Sequence, residues 1–294
     1  MFVLAIIFLF LLIIIVRSFV VKPADTVRIK AISESELDPA VWGKKYPLEY
    51  RSFQKNLEMS ASPTDFGGSV KFQHALRQPE ILVNFKGNAF SKDYTEDRGH
   101  PYALTDLKES KRVTAQTPGA CMTCKTPHIV PLFKELGWGY AAHPLEDLLP
   151  GIKHSIACAN CHDPANMELR VVNPAFIEAM QRRGINVTKA GREEMRSYVC
   201  GQCHAEYYFE PRTSKVVFPW DKGTHPGEMY AYYSTKPGGF EGDWKHPDSQ
   251  AMMLKAQHPD FETYLGGTHA KAGISCADCH MPYMRDNGKK YSSH

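Results

Sequence analysis

No cysteine in this 294-residue chain stands alone. All eight fall in C-x-x-C pairs, Cys121/Cys124, Cys158/Cys161, Cys200/Cys203 and Cys276/Cys279, so the thiols read as four units. An excess of one charge is also missing. Lys plus Arg number 35 against 32 Asp plus Glu, a net charge of +3, which is too even for a polyanion-binding protein and argues against nucleic acid as a partner. With 23% charged and 43% apolar residues, disorder is excluded and a packed core is required. From Val41 onward there is no low-complexity stretch and no compositional break, which predicts one folded domain over residues 41–294. Strand signals are sparse, Lys215 to Phe218 being the best short candidate. Helical spacing bounded by Gly or Pro occurs at Pro174 to Arg183 and Gly191 to Tyr198, and 20 Pro with 21 Gly imply short helices joined by turns and long loops. The expected fold is mainly α and loop-rich, with little β.

The long apolar run is confined to the start. Met1 to Val16 is wholly apolar, followed by Arg17, Ser18 and Phe19 to Val21. Sixteen helical residues reach about 24 Å and 21 reach about 31 Å, so residues 1–21 predict a hydrophobic helix that spans a bilayer only if Arg17 snorkels. A cleaved signal segment is the other reading, although no basic stretch precedes the run and no small-x-small site follows it. Either reading exports the chain to a periplasmic or other extracytoplasmic compartment. The basic residues Arg17, Lys22, Arg28 and Lys30 all follow the run, against the positive-inside rule for an N-in anchor, which a missing upstream piece would explain. Residues 22–40 are polar and aperiodic and read as a tether.

Three of the pairs continue into histidine: Cys158-Ala-Asn-Cys161-His162, Cys200-Gly-Gln-Cys203-His204 and Cys276-Ala-Asp-Cys279-His280. This is the attachment signature of a c-type haem. Two thiols three residues apart reach both vinyl groups of a porphyrin, and the adjacent imidazole then lies under the iron. Zinc also binds C-x-x-C pairs, but its ribbons usually place the pairs about 15–20 residues apart, and the gaps here are longer. Disulfides would explain neither the histidines nor the repetition. Haem c also agrees with export, and several porphyrins would themselves serve as core.

The first pair, Cys121-Met-Thr-Cys124-Lys125, has the same spacing but offers an amine where imidazole should be. A lysine normally titrates near about 10.4, so to ligate iron it must be held neutral by the metal and by desolvation. The plainer reading is a solvated Lys125 beside a pair that binds something else. With lysine as a ligand and no protein ligand opposite, the haem would have an open site, the mark of a reaction centre rather than an electron relay.

These motifs, in this order, resemble the cytochrome c nitrite reductase family, multihaem enzymes that reduce nitrite to ammonium. The resemblance begins at Trp42-Gly-Lys-Lys-Tyr46-Pro-Leu-Glu-Tyr50 and continues through Arg98-Gly99-His100 and the Lys125 pair. It extends over Cys200-Gly-Gln-Cys203-His204-Ala-Glu206-Tyr207-Tyr208-Phe209, Leu254-Lys255-Ala256-Gln257-His258-Pro259 and Cys276-Ala-Asp-Cys279-His280-Met-Pro282. It implies that Lys125 is the proximal ligand of the active-site haem and that Arg112, Tyr207 and His258 line its distal pocket. These types suit a small anion needing a fixed cation and proton donors. It further implies a calcium site from the Glu206 and Gln257 side chains and the Tyr207 and Lys255 carbonyls, an all-oxygen set suited to a hard cation.

The resemblance also implies distal ligands for the electron-transfer haems: His100 for the haem at Cys200/Cys203, His294 for that at Cys158/Cys161, and His269 for a fifth haem. No fifth C-x-x-C-H occurs before His294. The expectation is a C-terminally truncated fragment with four haem attachment sites, a fifth belonging to the full-length protein, which would form a homodimer. Nitrite is the expected substrate and a membrane quinol-oxidising multihaem cytochrome the expected electron donor. Two other functions remain open: an octahaem nitrite- or hydroxylamine-processing relative, separated by its haem count, and a non-catalytic electron carrier, separated by having only low-spin haem.

Overall fold

The structure, a computed structural model, describes residues 31–58 and 70–294. The apolar segment 1–21 and residues 22–30 of the tether lie outside the described residues. Among the described residues no helix is long and apolar enough to cross a membrane. The architecture is mostly helical, as the scarcity of strand signals predicts, and no helix among the described residues exceeds the ten residues of Arg192–Gly201.

Local chemistry accounts for where helices start and stop. In Pro174–Arg182, the Asn173 side chain accepts from the Ala175 N–H at 2.8 Å, Pro174 occupies the first turn, and Gly184 follows at φ +75°. The helix read from Gly191 to Tyr198 runs from Arg192 to Gly201, with the Glu194 carboxylate reaching back to accept from the Gly191 N–H at 2.8 Å. The predicted strand narrows to Val216–Val217 (β2), paired antiparallel with Tyr208–Phe209 (β1). Two more hairpins join Trp244–Lys245 (β3) to Met252–Met253 (β4) and Tyr283–Asp286 (β5) to Lys289–Ser292 (β6). The sequence reading passed over β5 and β6 because their side chains are exposed or half-buried and carry no apolar alternation. Their local signal is the turn Asn287-Gly288, at φ +48° and +82°, the left-handed pair that a tight hairpin requires.

The main core gathers Phe176, Tyr198, Phe218, Trp220 and Phe261, with ring centroids 4.9 to 6.3 Å apart. Each such burial contributes about 1.5–3 kcal/mol. The thiol pairs are anchored in the packed interior by their intervening residues. Met122 packs with Leu104, Leu145 and Ile152, and Ala159 packs with Ile32, Trp42 and Tyr46. Gly201 lies against Phe261, where an added Cβ would fall 2.5 Å from the ring. A turn that brings residues i and i+3 to one face directs the residue after the first cysteine elsewhere, here inward.

Candidate functional site

The segment Gly119–Cys124 is a short 3₁₀ helix. The Thr123 hydroxyl donates to the Ala120 carbonyl (2.7 Å) and so accepts from the Tyr140 hydroxyl (2.6 Å). The chain leaving Lys125 is also held. Thr126 donates to the His154 carbonyl at 2.7 Å, and the Asn160 side chain donates to the Thr126 carbonyl at 3.1 Å. Lys125 is half-buried and lines a cavity with Arg112, Thr95, Glu96, Asp97 and Ser110.

The distal candidates lie around the same cysteines. The Tyr207 and His258 rings are 5.7 Å apart, and His258 lies 5.8 Å from His204. Burial pushes the Tyr207 phenol well above its ordinary range, reinforced by Cys121 and Cys124 and opposed by Arg112. Burial likewise holds His258 down to about 4, helped by positive charge on His204 and Lys125. His258 Nδ1 is buried with no hydrogen-bond partner, an orphan of the kind that marks a ligand site. Lys125, Arg112, Tyr207 and His258 therefore converge on the pair Cys121/Cys124.

Two of the other motifs hold their imidazoles in a way that suits haem. His162 Nδ1 bonds the Met167 carbonyl and His294 Nδ1 the Ser292 carbonyl, each at 2.9 Å, which leaves both Nε2 atoms uncommitted to those contacts. The two rings are 5.8 Å apart. Two imidazoles each about 2.0 Å from a shared metal would have centroids roughly 6 Å apart, so the spacing suits iron between them. Hairpin β5–β6 and helix Pro47–Lys55 place His294, through Ser52 Oγ (3.0 Å) and the Asn56 amide (2.9 Å). His204 Nδ1 meets the Asp260 carboxylate at 3.2 Å. His100, pushed to about 4 by burial and by the charges of His204, His294 and Lys125, stands beside this group. Cys124 contacts Cys203, and Cys200 contacts Cys276, so three motifs adjoin in series. Cys161 lies close enough to influence both Cys200 and Cys203. His280 and His269 are exposed, the first closing helix Cys276–His280 and the second on Thr268–Lys271.

The cation-site candidates also come together. Glu206 is buried, accepting from the Tyr233 hydroxyl (3.0 Å) and the Gln257 N–H (2.6 Å), and burial raises its carboxyl to about 7. Glu262 and Asp243, also raised chiefly by burial, lie near it, and this concentration of buried acid favours a cation. The Lys255 ammonium sits 3.3 Å from the Gln257 carbonyl and 3.4 Å from its Oε1, supplying one positive charge from the chain itself. Among the described residues no group of three or more His, Cys, Asp or Glu converges as a metal cluster, so any ion here would rest on carbonyl and amide oxygens besides Glu206.

Sequence reasoning missed Phe90, Asp93, Ser110, Tyr233, Asp243, Asp260 and Glu262, which support these groups. Asp260, two residues after His258, and Ser110, two residues before Arg112, had a local signal. The others arrive through contacts distant in sequence.

Residues 38–294 match a model of the cytochrome c552 family. The chain is 42% identical over 257 residues to a cytochrome c-552 of Parabacteroides distasonis, covering 85% of this chain and 51% of that protein. It is 39% identical over 297 residues to the cytochrome c nitrite reductase subunit NrfA of Nitratidesulfovibrio vulgaris, covering 90% of this chain and 56% of that protein. The solved cytochrome c nitrite reductase of Desulfovibrio desulfuricans, a catalytic subunit with two calcium sites, superposes with a TM-score of 0.85 at 36% identity. That match covers 90% of this chain and 62% of the solved one. The chain spans about half the length of the curated relatives it matches.

Proposed function

Because the chain belongs to the cytochrome c552 family, we propose that it carries the catalytic centre of an ammonia-forming nitrite reductase, reducing nitrite by six electrons to ammonium. The observation that carries this reading is the convergence of Lys125, Arg112, Tyr207 and His258 on Cys121/Cys124. The relatives named cytochrome c nitrite reductase support it.

When bound, haem c at this pair would supply an iron that binds substrate and a route for electrons. Cys121 and Cys124 would attach it and Lys125 would ligate its iron through a neutral amine. Arg112 supplies a permanent cation for the nitrite oxygens, while Tyr207 and His258 supply hydrogen-bonding groups beside the reacting nitrogen. Both are half-buried, a setting where such contacts are stronger than in water. His162 with His294, and His204 with His100, would hold relay haems, and His280 would hold the haem at Cys276/Cys279. His269 would serve a further haem, and the protein would act as a homodimer.

Calcium held by Glu206, Gln257 and the Tyr207 and Lys255 carbonyls would fix the two segments that carry Tyr207 and His258. Electrons would come from a membrane quinol-oxidising multihaem cytochrome in a periplasmic or other extracytoplasmic compartment.

The test is Lys125→His in the haem-loaded protein. Ammonium formation should fall about tenfold or more, while a high-spin haem signal that shifts on adding nitrite persists, because the face opposite the new imidazole stays open. Unchanged ammonium output refutes the reading, and a wild-type protein showing only low-spin haem points instead to an electron carrier.

A further inference from the structure

Arg112 is fixed by contacts that, among the described residues, leave the outer nitrogens of its guanidinium uncommitted. Its Nε donates to Ser110 Oγ at 3.2 Å, its backbone N–H to the same oxygen at 3.2 Å, and its guanidinium carbon lies 4.2 Å above the Phe90 ring. A ring beneath the plane and an acceptor at Nε set the rotation of the fork.

Ser110 can play this part because of Asp93. The Asp93 carboxylate is 4% exposed and accepts from Gln73 Nε2 at 2.5 Å, Thr95 Oγ1 at 2.9 Å, Ser110 Oγ at 3.0 Å and the Lys111 N–H at 2.8 Å. Burial alone would raise its carboxyl, but these donors prevail and hold it at about 2, so it is ionised at neutral pH. An ionised carboxylate only accepts. The Ser110 hydroxyl proton is therefore committed to Asp93, and its lone pairs are turned toward Arg112.

The acidic neighbours in the same cavity are largely engaged elsewhere. Asp106 pairs with Arg98 at 2.6 Å and Glu96 with His74 at 3.0 Å, while Asp97 is exposed. The free edge of Arg112 is left for an external anion.

We infer that Asp93 and Ser110 are positioning residues that aim the free guanidinium edge of Arg112 into the cavity it shares with Lys125, so that a planar two-oxygen anion is gripped through both oxygens. The inference rests on the proposed nitrite site and deepens it. Nitrite has the paired-oxygen geometry of a carboxylate, which an arginine fork matches with two parallel hydrogen bonds. Rotation of the fork by a few tens of degrees would lose one of them.

The test titrates nitrite against the oxidised, haem-loaded protein and reads the dissociation constant from the Soret band, with hydroxylamine as an uncharged ligand for the same iron. Ser110→Ala should weaken nitrite about tenfold and leave hydroxylamine unchanged, and Ser110→Thr should restore nitrite binding. Asp93→Asn should follow Ser110→Ala, because a carboxamide can donate to the hydroxyl and reverse it. If that buried substitution prevents folding, the Ser110 pair decides alone. Nitrite binding unchanged in Ser110→Ala while Arg112→Ala weakens it overturns this inference only. Equal loss of nitrite and hydroxylamine in Ser110→Ala overturns it as well, since that marks general collapse of the pocket. Unchanged nitrite binding in Arg112→Ala overturns both this inference and the nitrite-site reading beneath it.

Discussion

The glycine inside Cys200-Gly-Gln-Cys203 gives a prediction whose sign separates two physical effects. Gly201 ends helix Arg192–Gly201, and replacing a helical glycine by alanine ordinarily stabilises by up to about 1 kcal/mol. Here the new Cβ would stand 2.5 Å from two carbons of the Phe261 ring and 3.0 Å from a third. An ordinary contact would need the ring to retreat by roughly 1 Å. It has little room. Phe176, Tyr198, Trp220 and Tyr264 surround Phe261 at centroid distances of 5.6, 6.0, 5.6 and 6.3 Å. Overpacking of this kind costs about 1–3 kcal/mol, so with the full helical gain subtracted Gly201→Ala should be a net loss of up to about 2 kcal/mol.

The displacement should also reach the site, because the Phe261 N–H donates to the His204 carbonyl at 3.0 Å and Asp260 next to it bonds the His204 ring. The assay is denaturant unfolding of the haem-loaded protein followed by far-ultraviolet circular dichroism, for wild type, Gly201→Ala, Phe261→Ala and the double variant. Phe261→Ala alone should cost about 3–5 kcal/mol, and in that background Gly201→Ala should turn neutral or stabilising. Gly201→Ala more stable than wild type in the intact background refutes the packing argument.

The depressed Asp93 carboxyl, at about 2 against an ordinary 3.8, represents about 2 kcal/mol of stability at about 1.4 kcal/mol per unit. Because the folded value lies below the unfolded one, this contribution is fully present above pH 4 and is lost as pH falls toward 2. The stability difference between wild type and Asp93→Asn should shrink across that window in acid-unfolding curves. Asp260→Asn removes a charge from the His204 Nδ1 contact, whereas His162 bonds only a neutral carbonyl. The reduction potential of one low-spin haem should rise, and Asp260→Glu should not raise it, as read by spectroelectrochemistry. Gly288→Val places a β-branched residue at φ +82° in the β5–β6 turn at a cost of about 1–2 kcal/mol. Hydrogen exchange of the Lys289–Ser292 amides should quicken about five- to thirtyfold, and unchanged exchange counts against a turn-controlled hairpin.

The parts legible in the sequence were those whose cause is local. Thiol spacing and the adjacent histidine are a matter of one turn, so the haem-type motifs could be read without the fold. Helix Pro174–Arg182 was likewise legible from a proline in its first turn and a glycine beyond its end. The strands of the β5–β6 hairpin carry no buried apolar face, so periodicity was silent and only Asn287-Gly288 spoke for them. Arg112, Tyr207 and His258 came from resemblance, since an isolated Arg, Tyr or His has many uses.

Sequence by itself determined the chemistry available at each motif: four thiol pairs, three with imidazole and one with an amine, in a chain of short helices. Only the tertiary structure decided what surrounds them. The Asp93 carboxylate reaches Ser110 across 17 positions, Glu206 reaches the Gln257 amide across 51, and the His294 N–H reaches Ser52 across 242. Contacts at such separations follow from how the whole core packs, because a buried carboxylate or imidazole is stable only where the folded chain brings donors, acceptors or charge to meet it.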